Sequence, residues 1–102
     1  MKPAETLPLQ STVSVDTHTG DVLAVYLRVR IGKAAETREF AEGNAFADYD
    51  RVGNLLGVEV LGPCAGKIFD RISRGEPKSV KRFLRGSLPV QMLLVADSAQ
   101  AG

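Results

Sequence analysis

The chain is poor in the residues that protein chemistry most often uses. It holds one cysteine, one histidine and no tryptophan in 102 residues. A lone Cys64 excludes an internal disulfide and suits a reducing compartment. No two-histidine or two-cysteine spacing exists, so the pattern of a transition-metal site is absent. Four Phe and two Tyr are the only aromatics, which predicts a mainly aliphatic core. No apolar run approaches the ~20 residues of a membrane helix. The longest, Leu88 to Ala96, is broken by Pro89 and Gln91. The opening residues, MKPAETLPLQS, hold an acid and two prolines and no apolar block, so they do not read as a signal peptide. These absences lead to the expectation of a cytoplasmic protein without membrane contact.

What is present is ordinary for a globular chain: 44% apolar and 25% charged residues. The length predicts one domain. Charge is unevenly spread. Residues 1–61 hold six Lys/Arg against nine Asp/Glu, and residues 62–102 hold seven against three. The plan is an acidic first part and a basic second part. Solvated faces account for this, and the basic part also suits an acidic protein or a phosphate backbone.

Periodicity divides the chain. Residues 1–11 carry Pro3 and Pro8 and do not alternate, which predicts a flexible arm. Val13 and Val15 alternate with polar neighbours, and Thr17 to Gly20 is turn chemistry. From Asp21 to Arg30, Leu23, Val25, Leu27 and Val29 fall on one face, with Tyr26, Arg28 and Arg30 on the other. Glu36 to Phe40 is a further short strand, followed by a turn at Glu42 to Asn44. Next comes a hairpin, AFADYD and LLGVEVL, joined at Val52 to Asn54. Setting Asp50 opposite Leu55 puts Asp48 opposite Gly57 and Phe46 opposite Glu59. One face then carries Ala45, Ala47, Tyr49, Leu56, Val58 and Val60. The other carries Phe46, Asp48, Asp50, Leu55, Gly57 and Glu59. The first face is the expected core.

After Gly62-Pro63 the period changes. Ala65, Ile68, Phe69 and Ile72 form a helical stripe, with Gly75 as its C-cap. Pro77 opens a second helix with Val80, Phe83 and Leu84 on its apolar side. Residues 90–96, VQMLLVA, suit a last strand or a helical turn equally, and 97–102 read as a frayed end. The expected architecture is α+β: an antiparallel meander of about five strands followed by two short C-terminal helices, in one domain over 12–96.

Two blocks carry a resemblance. VYLRV at Val25 to Val29 follows a turn bounded by Asp16 and Asp21, and DYDRVGNLLGVEVL runs from Asp48 to Leu61. Together they resemble the DUF2283 family of small bacterial proteins, over roughly half the chain. The second block is the more specific match. Two departures are a first turn one residue longer than usual and Val15 where Tyr is usual. The resemblance implies an antiparallel sheet with a C-terminal helix and brings no known activity. Some members lie beside small ribonuclease-like toxins, so it also implies an antitoxin-like role.

Four motifs imitate functional sites. Asp48, Asp50, Gly53 and Glu59 fill positions of a calcium loop, but Val52 stands where an oxygen ligand is needed and the flanks alternate like strands. Gly62 to Ile68 is one residue short of a phosphate loop and lacks its hydroxyl. A Cys64/His18 dyad has no placed orienting group. Residues 67–86 imitate a helix-turn-helix, with Arg71 where a close crossing favours a small residue. Each is better read as structure, so no enzyme, no cofactor and no metal are expected.

The expected function is a non-enzymatic interaction module. Its partner is a second copy or a small basic protein, and a DNA-binding regulator is the alternative. The candidate contact residues are the Phe46/Leu55 spot and Met92, Leu93 and Leu94 of the C-terminal apolar run. The candidate basic surface is Lys78, Lys81, Arg82 and Arg85. Nucleic acid is the less favoured partner.

Overall fold

A computed structural model of the chain describes residues 6–93. Five strands come first: β1 (Gln10–Val15), β2 (Val22–Arg28), β3 (Glu36–Phe40), β4 (Ala45–Tyr49) and β5 (Leu55–Val60). Two short helices follow, α1 (Ile68–Ile72) and α2 (Lys78–Gly86), and then a single 3₁₀ turn at Val90–Met92. The fold is α+β, as the change of period at Gly62 predicts.

All strand pairs are antiparallel, in the order β1-β2-β5-β4-β3. This is not a pure meander. The chain leaves β2, passes the end of the β4–β5 hairpin and returns along β4 as β3. Residues 29–35 make this crossing and are tied to the hairpin they pass. The Val29 and Arg30 amides both donate to Leu56 O, and the Ala35 amide donates to Tyr49 O. The strongest pattern in the sequence, β2, therefore lies beside β5, the next strongest. Two strands buried on one face gain most by pairing in the centre, which leaves the more polar β1 and β3 at the edges.

The β4–β5 register sets Phe46 against Glu59 and Asp48 against Gly57, as the apolar pattern requires. It departs at the turn. A bulge sets Tyr49, rather than Asp50, against Leu55. Asp50 is drawn out of the ladder, because its carboxylate accepts from the Val52 and Asn54 amides at 3.0 and 2.8 Å. As a consequence, Leu55 joins the core and Leu56 moves to the opposite face, against Gly32 of the crossing segment.

One face of the sheet is covered by the helices. Val25, Leu27, Val29, Ala45, Ala47, Val58 and Val60 are wholly buried there against Phe69, Val80 and Leu84. Burial of this kind contributes roughly 1.5–3 kcal/mol per large side chain before entropy. Tyr49 fastens α1 to the sheet: its hydroxyl donates to Ile72 O at 3.2 Å, an otherwise orphaned carbonyl at the helix end. The cap of α1 is Ser73 rather than the expected Gly75, which takes φ +86° two residues further on in the turn between the helices. Arg30, from the crossing segment, grips Glu76 of the same turn with two bonds of 3.0 and 2.9 Å. The 3₁₀ turn buries Met92, and Leu93 makes an isolated parallel bridge to Cys64. Over its described part the apolar run is therefore the helical turn of the two alternatives, one turn of 3₁₀, and not a last strand.

Candidate functional site

The two sheet edges differ in chemistry. β3, ETREF, is charged, and Arg38 pairs with Glu36 at 2.7 Å along it. β1, QSTVSV, has no charge, and all six residues are exposed. Natural edges are commonly guarded by charge, proline or a bulge. On β1 the guards are only Pro8 before it and an irregularity of pairing between Ser14 and Val15. Val13 lies opposite Val25 and so shares the core face. The helical layer ends short of it: Val25 is 0% exposed and Val13 43%. Val15, opposite Val22, is 49% exposed. Leu23, expected on the core face, is 54% exposed at the irregularity, and Val22 packs against the core in its place. Among the described residues, a row of unpaired backbone groups therefore adjoins an uncovered Val13 and Val15.

At the other edge the helical layer also ends short, but arginines complete the cover. The Arg38 guanidinium lies 4.6 Å from the centroid of the Tyr49 ring, and that of Arg71 lies 5.6 Å from that of Phe40. Arg74 stands beside them, and a cleft of about 610 Å³ opens between β3 and the end of α1. Burial raises the Tyr49 hydroxyl above its ordinary value, so it stays protonated and keeps donating to Ile72. Bonding to Arg38 holds Glu36 below the usual carboxylate range.

The open face of the sheet, away from the helices, carries Tyr26, Glu59, Phe46 and Glu39 in one cross-strand row. Arg28, Gly57, Asp48 and Thr37 form the next row. Tyr26 leans across Gly57, where a Cβ would meet its hydroxyl. Its own hydroxyl is raised by burial first and then by Asp48. The face is mainly acidic, with Arg28 set into it.

The structure separates the nominated contact residues. Phe46 stays half-buried on the open face, whereas Leu55 is 1% exposed and belongs to the core. The Phe46/Leu55 spot is therefore not formed, because the bulge turns Leu55 over. Met92 is buried in the core, and Leu93 is half-buried against Cys64. Leu94 lies outside the described residues. Of the basic surface, Lys78, Arg82 and Arg85 are exposed and Lys81 is half-buried on α2. Arg85 lies 3.8 Å from Asp70, and Asp70 and Glu76 are the only acids across α1, α2 and the turn between them.

The imitated motifs are occupied by structural roles. Asp50 spends both carboxylate oxygens on the turn. Asp48 accepts from the Thr37 hydroxyl at 2.6 Å. Among the described residues no three His, Cys, Asp or Glu gather as a metal-binding group. Cys64 is fully buried, and burial raises its thiol, the reverse of an activated nucleophile. His18 is exposed in the β1–β2 turn. Gly62 packs on Asn44, whose amide donates to Pro63 O at 2.8 Å, so the phosphate-loop imitation is a fastened connector. Among the described residues no helix is long and apolar enough to cross a membrane.

The bare β1 edge escapes a reading that looks only for apolar spots; the absence of charge in QSTVSV, set beside ETREF, is the signal that marks it. The arginine cleft has no such signal, since only tertiary packing brings Arg38 to Arg71. Comparison with known proteins adds nothing to this geometry: no family model, no curated protein and no solved structure matches the chain. The resemblance to DUF2283 rests on its two sequence blocks alone.

Proposed function

We propose that the chain is a non-enzymatic protein-interaction module that works as a homodimer joined along β1. The observation that carries this is an uncharged edge strand, unpaired among the described residues, beside an uncovered Val13 and Val15. An antiparallel strand is the natural complement of such an edge, and β1 is complementary to itself. A two-fold axis keeps each face of the sheet continuous, so only registers that match like faces are allowed. Centred on Val13, the pairing sets Val13 against Val13 of a second copy and Val15 against Ser11. No like charges meet along the strand, and the five-stranded sheet is doubled. β3 does not offer this, because Glu36, Arg38 and Glu39 put charge along that edge, which is the usual guard against strand addition.

Light scattering during gel filtration tests the reading. The chain is expected to run as a dimer, and Val13→Lys as a folded monomer, because two ammonium groups would sit directly opposite. Thr37→Lys on β3 is expected to leave the dimer intact. A monomeric wild-type chain at high concentration, or a dimer indifferent to Val13→Lys, refutes it.

A second reading keeps the module and changes the partner. Glu39, Asp48 and Glu59 around Phe46 favour a small basic protein on the open face. This is the reading that accords with the antitoxin-like role implied by DUF2283. Co-expression with a neighbouring basic gene product should then give a stable complex that Glu59→Lys weakens, whatever the state of β1.

A further inference from the structure

The helical layer has more cation than its packing uses. Arg71 and Arg74 make no side-chain hydrogen bond or ion pair with any described residue, yet both line the cleft beside β3. Arg71 is held by the Phe40 ring at 5.6 Å and Arg38 by the Tyr49 ring at 4.6 Å. A guanidinium can meet a ring and still offer its in-plane N–H donors to another acceptor. Arg38 gives one side of its fork to Glu36, through Nε at 2.7 Å and Nη2 at 3.4 Å. Arg71 gives none of its own away.

The negative pole of α1 would oppose an anion here, but it is already satisfied. Ile72 O accepts from the Tyr49 hydroxyl, and Phe69 O accepts from the Ser73 amide and hydroxyl. Glu39 is the only acid in the cleft lining, and Glu36 stands next to it, bonded to Arg38. Its volume, about 610 Å³, falls in the range of small-molecule sites. From these observations we infer that the cleft binds a phosphoryl group, with Arg71 and Arg74 as principal donors and Arg38 as a third. A phosphoryl group has enough oxygens for three guanidinium groups, and it suits their fork geometry better than a single carboxylate does. The inference does not depend on dimer formation, since the cleft lies at the edge of the sheet opposite β1.

Two probes separate the sources of such a group. Inorganic pyrophosphate represents a small phosphorylated ligand, and a ten-nucleotide single strand represents a nucleic-acid backbone. In amide-resolved NMR titrations at low salt, one of them should give saturable shifts at residues 38–40 and 71–74. The Arg71→Gln/Arg74→Gln double variant should weaken that binding at least tenfold. Lys78→Gln/Arg82→Gln on α2 removes as much charge and should weaken it less than threefold. Saturation by pyrophosphate assigns a small ligand, and saturation by the oligonucleotide alone assigns a backbone phosphate. Arg74→Gln, at an exposed side chain that makes no hydrogen bond or ion pair with any described residue, carries the test if the double variant fails to fold. No saturable binding of either probe, or equal loss in both double variants, overturns the inference.

Discussion

Single residues hold the joints between parts of this fold. The Arg30–Glu76 pair is nearly buried, with side chains 14% and 10% exposed, and Arg30 also donates to Leu55 O at 2.9 Å. It ties the crossing segment, the β5 bulge and the turn between the helices. Glu76→Ala removes the carboxylate from two bonds to a nearly buried guanidinium, and is expected to cost about 1.5–3 kcal/mol in urea unfolding. Asp50 acts through charge. The Asn54 amide first, then the Asn54 side chain and the Val52 amide, hold its carboxyl below the usual range. A depressed carboxyl stabilises the fold above its unfolded value, near pH 4, and that contribution is lost as pH falls through the folded value. Asp50→Ala should therefore lower the melting temperature at pH 7 and make the fall in stability below about pH 4 shallower than in wild type. Gly57 acts through its missing side chain, since a Cβ there meets the Tyr26 ring. Gly57→Ala should swing that ring away and change tyrosine fluorescence in a chain with only two tyrosines.

At the scale of elements, local pattern and tertiary demand can be told apart. β2, β4, β5 and α2 were legible, because alternation or a 3.6-residue stripe is written directly into Val25 to Val29, Ala45 to Tyr49 and Val80 to Leu84. The strand order was not legible, since nothing in residues 29–35 says which strand they pass. The bulge was hidden for a different reason. Leu55 and Leu56 are chemically alike, and only the bonds made by Asp50 decide which one faces the core. The two leucines give a direct check. Leu55→Asp places an unpaired carboxylate in the core and should abolish a cooperative melt. Leu56→Asp, on the opposite face, should melt cooperatively at a reduced temperature. The β3–β4 turn falls where the sequence places it, at Glu42 to Asn44, but its hand was not foretold. Ala41 and Glu42 take φ +54° and +56° ahead of Gly43 at +91°, a left-handed turn that costs a non-glycine residue roughly 1–2 kcal/mol. Glu42→Gly relieves that cost and adds chain entropy to the unfolded state, so a net gain of up to about 1 kcal/mol in unfolding free energy is expected.

For the whole molecule, the two proposals assign different work to opposite edges of one sheet. The central strands β2 and β5 are paired on both sides and roofed by helices, so their amides should exchange with solvent most slowly. β1 and β3 each have one free edge, and in an isolated chain their outward amides should exchange fast and alike. Dimer formation along β1 breaks that equivalence. Its amides gain partners from the second copy, whereas those of β3 remain open beside the arginine cleft. Hydrogen exchange followed by mass spectrometry should then show protection of residues 10–15 that rises with protein concentration, while residues 36–40 stay unchanged. Val13→Lys should remove the dependence and leave the slow centre intact, because Val13 is 43% exposed and lies outside the roofed core. Pyrophosphate should act on the other side, slowing residues 36–40 without altering residues 10–15. Equal behaviour of the two edges at every concentration would mean that the lack of charge on β1 has no functional consequence, and the homodimer would fall with it.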